Sequence, residues 1–231
     1  MEEKRVGKIT FYSELAYVFG IVFVAFGVAF MEMVDFGVSM VVAPAYILHL
    51  KLSETWSFFS FGMAEYTLQA VLLIVMMIVV RKFKVAYLFS FVTAVIYGFV
   101  LDLCMAAVSG IPAETMVARI LYYALGMVLC AIGISLFFHT YIAPEVYELF
   151  VKEVSAKFSV EIHRFKTGYD ICSCLVGVIL SFFFFGLWVF RGVKWGTIVC
   201  ALINGSIIGL CSKFFDRFFE FKDGLNLRKY F

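Results

Sequence analysis

The stretch Tyr17-Val18-Phe19-Gly20-Ile21-Val22-Phe23-Val24-Ala25-Phe26-Gly27 recurs 106 positions later as Tyr123-Ala124-Leu125-Gly126-Met127-Val128-Leu129-Cys130-Ala131-Ile132-Gly133. Tyr17, Gly20, Val22, Ala25 and Gly27 meet identical residues in the second copy. The same offset carries Ser53, Phe59 and Gly62 onto Ser159, Phe165 and Gly168; one residue more carries Ala94, Ile96 and Gly98 onto Ala201, Ile203 and Gly205. One offset kept across two helices and their connection marks an internal duplication, with repeat 1 near 11–108 and repeat 2 near 117–212. Each copy holds three stretches able to cross a bilayer, and an odd number sends the second copy into the membrane from the opposite side. The expected fold is all-α: a polytopic membrane helix bundle, six transmembrane helices as two inverted three-helix repeats, plus short interfacial or re-entrant helices.

The crossings are predicted near 11–32, 58–80, 85–107, 117–139, 169–190 and 195–212. A hydrocarbon core about 30 Å thick takes about 20 residues of helix, which sets these lengths. The composition demands the same solvent: of 231 residues 64% are apolar and 16% charged, and the mean hydropathy is +0.99. Soluble domains run at about 45–50% apolar and about 25% charged. Three prolines and a net charge of +2 fit neither a collagenous repeat nor a nucleic-acid-binding domain. The six cysteines lie in or beside apolar runs, and Cys172-Ser-Cys174 lacks the spacer of a redox or zinc pair, so they read as packing residues. Met1 to Lys8 lead into an apolar run without a small-residue cleavage site, so the first run is expected to stay as an anchor.

Cations orient the bundle. Fifteen (Lys4, Arg5, Lys8, Arg81, Lys82, Lys84, Lys152, Lys157, Arg164, Lys166, Lys213, Arg217, Lys222, Arg228, Lys229) fall on the face that holds both termini, against four (Lys51, Arg119, Arg191, Lys194) on the other. The positive-inside rule then makes both termini cytoplasmic, and Trp56, Trp188 and Trp195 fall at the outer boundary, where indoles prefer to sit. Between the first two crossings of each copy lies an apolar segment too short to span. Residues 37–51 suit a helix in the outer interface or a re-entrant element, and the amphipathic 143–157 suits the cytoplasmic face. The tail 213–231 interleaves aromatics with charges and reads as an amphipathic cytoplasmic anchor.

Small residues at helical spacing mark close backbone approach in lipid, which puts the first, third, fourth and sixth crossings in the middle of the bundle; a homodimer seam is the rival reading. Charges at membrane depth are costly and signal function. Glu32, Asp35, Glu65 and Asp102 all fall in the outer portion of the first half, with Gln69 one turn after Glu65 and Tyr97 little more than a turn before Asp102. Together they could surround a polar cavity that takes protons, a metal ion or an organic cation. The plainer account ends the first helix with Glu32 and Asp35 and pairs an acid with Arg119. Asp170, at the inner start of the fifth helix, suits the helix dipole. Glu65 corresponds to Ile171 and Asp102 to Gly209, so this acidic group belongs to the first half alone. His49, His139 and His163 have no ligand spacing, and no phosphate loop, zinc-protease pair or nucleophile elbow is present. No enzyme activity, cofactor or metal is expected.

Asp35-Phe36-Gly37-Val38-Ser39, Phe59-Ser60-Phe61-Gly62, Gly98-Phe99-Val100-Leu101-Asp102 and Gly196-Thr197-Ile198-Val199-Cys200-Ala201-Leu202-Ile203-Asn204-Gly205 together resemble the YczE/YyaS/YitT group of bacterial integral membrane proteins. The resemblance covers nearly the whole chain except the charged tail. It implies a bacterial cytoplasmic (inner) membrane location and a transporter-like role, with no substrate to carry over. The leading expectation is a secondary transporter of a small solute, with proton coupling and a cationic substrate as options, binding at Glu65, Asp102, Asp35, Glu32, Gln69 and Tyr97. The alternative is a sensory or interaction subunit whose basic segments dock a cytoplasmic partner.

Overall fold

The computed structural model describes residues 8–225 and 228–230. Lys4 and Arg5 of the orientation count and residues 226, 227 and 231 of the predicted tail lie outside the described residues. The order is β1 (Ile9–Tyr12), α1 (Ser13–Met33), α2 (Ala43–Leu52), α3 (Phe61–Val80), a 3-10 turn (Val85–Leu88), α4 (Phe89–Val108), α5 (Met116–Phe138), α6 (Val146–Phe158), α7 (Ile162–Phe185), α8 (Trp195–Phe218) and β2 (Phe219–Lys222). Six helical stretches, α1, α3, α4 with its leading turn, α5, α7 and α8, are long and apolar enough to cross a membrane. Their outward faces carry Ile78, Phe99, Leu103 and Phe183, each at least 70% exposed, as a lipid-facing bundle requires. Local chemistry sets the ends. Ser60 and Thr115 accept the amides of Met63 and Ala118 at 3.2 Å as amino-terminal caps, and α3 and α6 stop at left-handed Arg81 and Ser159.

At the centre α1 and α5 run antiparallel with their backbones touching. A Cβ added to Gly27 would lie 2.7 Å from the Gly126 carbonyl oxygen, and one added to Gly133 would lie 2.7 Å from that of Gly20. Helix α4 packs on α1, and α8 on α5. The stripes on α1 and α5 thus face each other, and Gly205 and Gly209 of α8 face His163 and Thr167 of α7, whereas Gly98 of α4 has nothing within 4 Å. The short helices cross between halves: α2 packs on α7, and α6 packs on α3. Thr197 of α8 donates to the Val38 carbonyl at 2.7 Å, and Thr93 of α4 donates to the Ala143 carbonyl at 2.8 Å, fastening the segments that follow α1 and α5.

Three expectations need correction. Helix α6 buries Val146, Tyr147, Glu148, Leu149, Val151, Val154 and Ser155; it packs between α3 and α7, with Glu148 turned into protein and Lys157 left exposed. The fifth crossing begins at Ile162, not near 169, because Lys166 is buried with a partner although it reads as a loop cation. The tail does not simply lie on a surface. Helix α8 runs on to Phe218, and β2 pairs in parallel with β1, Ile9 opposite Phe219 and Tyr12 opposite Lys222. Glu14 accepts from the Tyr141 hydroxyl at 2.6 Å and from the amides of Gly224 and Leu225 at 3.0 and 2.8 Å, which ties tail, first helix and the α5–α6 loop together. The described ends of the chain therefore share one side of the bundle.

Candidate functional site

A polar cluster sits where α3, α4, α6, α7 and α8 meet. Lys166 and Asp170 stand one turn apart on α7, and the ammonium lies 2.8 Å from Asp170 Oδ1 and 3.6 Å from Glu148 Oε1 of α6. Lys166 is 1% exposed and Asp170 is wholly buried. Burial of an ion pair is tolerable only with close geometry, which the 2.8 Å contact supplies. The Tyr169 ring lies 5.6 Å from the Lys166 nitrogen.

The other wall comes from α3, where Gln69 Nε2 donates to Glu65 Oε1 at 3.5 Å. Glu145 occupies the N-cap position of α6. It lies within electrostatic reach of Glu148, Glu65 and Lys166. Tyr97 of α4 feels Glu145, Glu148 and Glu65, and Tyr147 of α6 feels Glu65, Glu145 and Glu148. Among the described residues Gln69 Oε1, the Tyr147 hydroxyl, Glu148 Oε2 and Asn204 Oδ1 are buried and find no hydrogen-bond partner. Orphaned buried polar atoms cost about 1–3 kcal/mol each, so each of the four calls for an explanation.

Burial, and then Glu148 and Glu65, push the Glu145 carboxyl well above its ordinary 4.5, with Lys166 opposing them. A raised acid keeps its proton in the folded chain after the unfolded chain has lost it. Its stabilising contribution is complete below pH 4.5 and is lost as pH rises through the folded-state value. Thermal unfolding followed over that range is expected to show a falling melting temperature with rising pH, with a shallower slope in Glu145→Gln. An unchanged slope would contradict the placement of Glu145.

Of the residues singled out from sequence, Glu65 and Gln69 touch, and Tyr97 lies within electrostatic reach of Glu65. The others lie elsewhere. Asp102 is exposed on α4, and Glu32 is exposed at the end of α1. Asp35, left-handed at φ 53, pairs with Lys194 at 2.7 Å on an exposed corner. Among the described residues Arg119 pairs with no acid; it donates to the Val34 carbonyl that ends α1 and lies over the Phe36 ring. The acidic group is not confined to the first half, since Glu145, Glu148 and Asp170 complete it. Asp170 is nine residues into α7, beyond the first turn where the helix dipole acts. Two spacings could have flagged these residues: Glu145 with Glu148, and Lys166 with Asp170, each pair on one helix face. Among the described residues no three His, Cys, Asp or Glu side chains converge as metal ligands.

The chain belongs to a family of unknown function, DUF6198, whose profile matches residues 11–213. That match spans the first five crossings and most of α8, and it does not name the YczE/YyaS/YitT group. No curated protein and no solved structure matches the chain.

Proposed function

We propose that this DUF6198 protein is a secondary carrier that moves a small cationic solute across a bacterial cytoplasmic membrane, with both termini inside. The observation that carries this reading is the set of orphaned polar atoms on Gln69, Tyr147, Glu148 and Asn204, beside the buried Lys166–Asp170 pair. Gln69 is the ninth residue of the 20-residue α3, Tyr97 the ninth of the 20-residue α4, and Asn204 the tenth of the 24-residue α8. At about 1.5 Å per residue these positions lie near the bilayer midplane, where carriers place their sites.

The repeat supports the mechanism. An offset of 106 turns Gly20 into Gly126 and Gly27 into Gly133, and the contacts run Gly27 to Gly126 and Gly20 to Gly133. A two-fold axis lying in the membrane plane between α1 and α5 produces this exchange, and it also swaps α2-on-α7 for α6-on-α3. Two inverted halves can rock about that seam and open the same site to either side in turn. Four carboxylates, Glu65, Glu145, Glu148 and Asp170, against one lysine select a positive solute.

Purified protein in liposomes is expected to take up small amine or guanidine cations. Glu65→Gln should lower the rate by about tenfold or more, the loss of one favourable charge contact, while Asp102→Asn should leave it unchanged. Equal rates in wild type and Glu65→Gln would remove the site assignment. Absence of flux together with capture of a stoichiometric cytoplasmic partner would favour an interaction subunit instead.

A further inference from the structure

We infer that a basic cavity at the end of the bundle where the described chain ends meet binds an anionic phosphate group, carried by a soluble compound or by a membrane lipid. The inference goes beyond the carrier reading and does not rest on it, because the cavity shares no residue with the polar cluster described above.

Four parts of the chain build the cavity: the turn that leads into α4, the 138–144 stretch that joins α5 to α6, one face of α6, and Arg228 of the tail. Its volume is about 460 Å³, within the range of about 300–1,000 Å³ usual for small-ligand sites. Three cations, Lys84, Lys152 and Arg228, line it against one carboxylate, Glu153. That carboxylate is already engaged, since the Tyr87 hydroxyl donates to it at 2.7 Å. His139, also in the lining, has both ring nitrogens committed, to the Ser135 carbonyl at 2.7 Å and to Asp216 at 3.1 Å.

The cations are held in place by contacts that leave donors over. Lys152 is half-buried, and its ammonium donates to the Thr140 carbonyl and, at 3.5 Å, to that of Phe137; an ammonium has three donors, so one remains. Arg228 spends Nε and Nη2 on Asp223 at 2.5 and 3.0 Å and lies over the Tyr141 ring at 5.5 Å, while Lys84 lies over the Tyr87 ring at 5.7 Å. Lys84 and Arg228 are within electrostatic reach of Lys152, and burial together with these two, against Glu153, brings its amine down to about 8. Bound phosphate oxygens relieve that crowding by charge-assisted hydrogen bonds, the kind that guanidinium and ammonium groups make best. An excess of two positive charges suits a phosphate better than a lone carboxylate. The place fits either source. Helices α3 and α5 end beside the cavity and α4 begins there, which sets it at the bilayer boundary, where basic pockets between membrane helices meet lipid headgroups.

Thermal unfolding of the full-length protein in an uncharged detergent tests this, because a ligand of the folded form raises the melting temperature with its concentration. The probes are glycerol 3-phosphate, glycerol, and the dihexanoyl forms of phosphatidylglycerol and phosphatidylcholine. Glycerol 3-phosphate or phosphatidylglycerol should stabilise saturably, the first alone marking a soluble phosphate compound and the second alone a lipid headgroup. Glycerol and the net-neutral phosphatidylcholine should not stabilise. Arg228→Gln should weaken the bound probe by about tenfold, the loss of one charge-assisted contact, and Lys152→Gln at least as much. Lys51→Gln removes the same charge from outside the lining, where Lys51 pairs with Glu54 at 2.6 Å, and should leave affinity unchanged. If Lys152→Gln fails to fold, the exposed Arg228→Gln decides alone. No stabilisation by either anionic probe, equal stabilisation by glycerol or phosphatidylcholine, full affinity in Arg228→Gln, or equal weakening in Lys51→Gln would each overturn the inference.

Discussion

Replacing Lys166 by methionine lowers the stability of the purified protein by about 3–5 kcal/mol, the cost of leaving a buried charge without its partner. Asp170 is wholly buried, and Glu148 is 7% exposed. Both lose the ammonium that lies 2.8 and 3.6 Å from them. A carboxylate left alone at the centre of a bilayer costs about 2.5–3.5 kcal/mol on insertion scales, which agrees in size. Methionine keeps most of the volume, so the loss reports charge rather than a cavity. Adding Asp170→Leu to Lys166→Met removes the stranded acid and should recover much of the stability. Denaturant unfolding in a mild detergent measures both. A loss below about 1 kcal/mol in the single variant, the range of an exposed pair, would place Lys166 in water and dissolve the cluster.

The second large effect belongs to the seam between the halves. Gly27→Ala and Gly126→Ala should each cost about 1–3 kcal/mol, the usual range for overpacking a tight interior. An added methyl at Gly27 would lie 2.7 Å from the Cys130 amide nitrogen and the Gly126 oxygen, and one at Gly126 would lie 2.6 Å from the Gly27 oxygen. Backbone cannot rotate aside as a side chain can, so α1 and α5 must separate. Because both substitutions wedge apart the same contact, the double variant should lose less than the sum. Gly98→Ala, with nothing within 4 Å, is the control and should be neutral or slightly stabilising. If Gly27→Ala proved as harmless as Gly98→Ala, the two helices would not touch there. Interference with the seam should also slow transport more than binding, since the rocking motion of the carrier reading turns on this contact.

Lys166 explains why the candidate site was only half legible. Read along the chain, His163, Arg164 and Lys166 form a basic run before an apolar helix, and such runs usually lie in water. The helix start is then set near 169, and Asp170 falls at its amino terminus. In the folded chain α7 begins seven residues earlier, at Ile162, and carries Lys166 inward with Asp170 one turn beyond it. Glu145 and Glu148 were misread for a related cause. An amphipathic helix looks the same in sequence whether its polar face meets water or an internal polar site, and only the packing of α3 and α7 against α6 distinguishes them. Glu65, Gln69 and Tyr97 were legible because a polar side chain within a long apolar run has no cheap alternative in lipid.

The sequence alone determined the number of crossings, their order, and the recurrence of small residues at an offset of 106, since each rests on the local match between an apolar run and the thickness of a bilayer. The tertiary structure decided which polar groups share a site and that β1 meets β2 near opposite ends of the chain. Both depend on contacts between residues far apart in sequence. Their free energy comes from mutual burial and pairing, which no single segment carries.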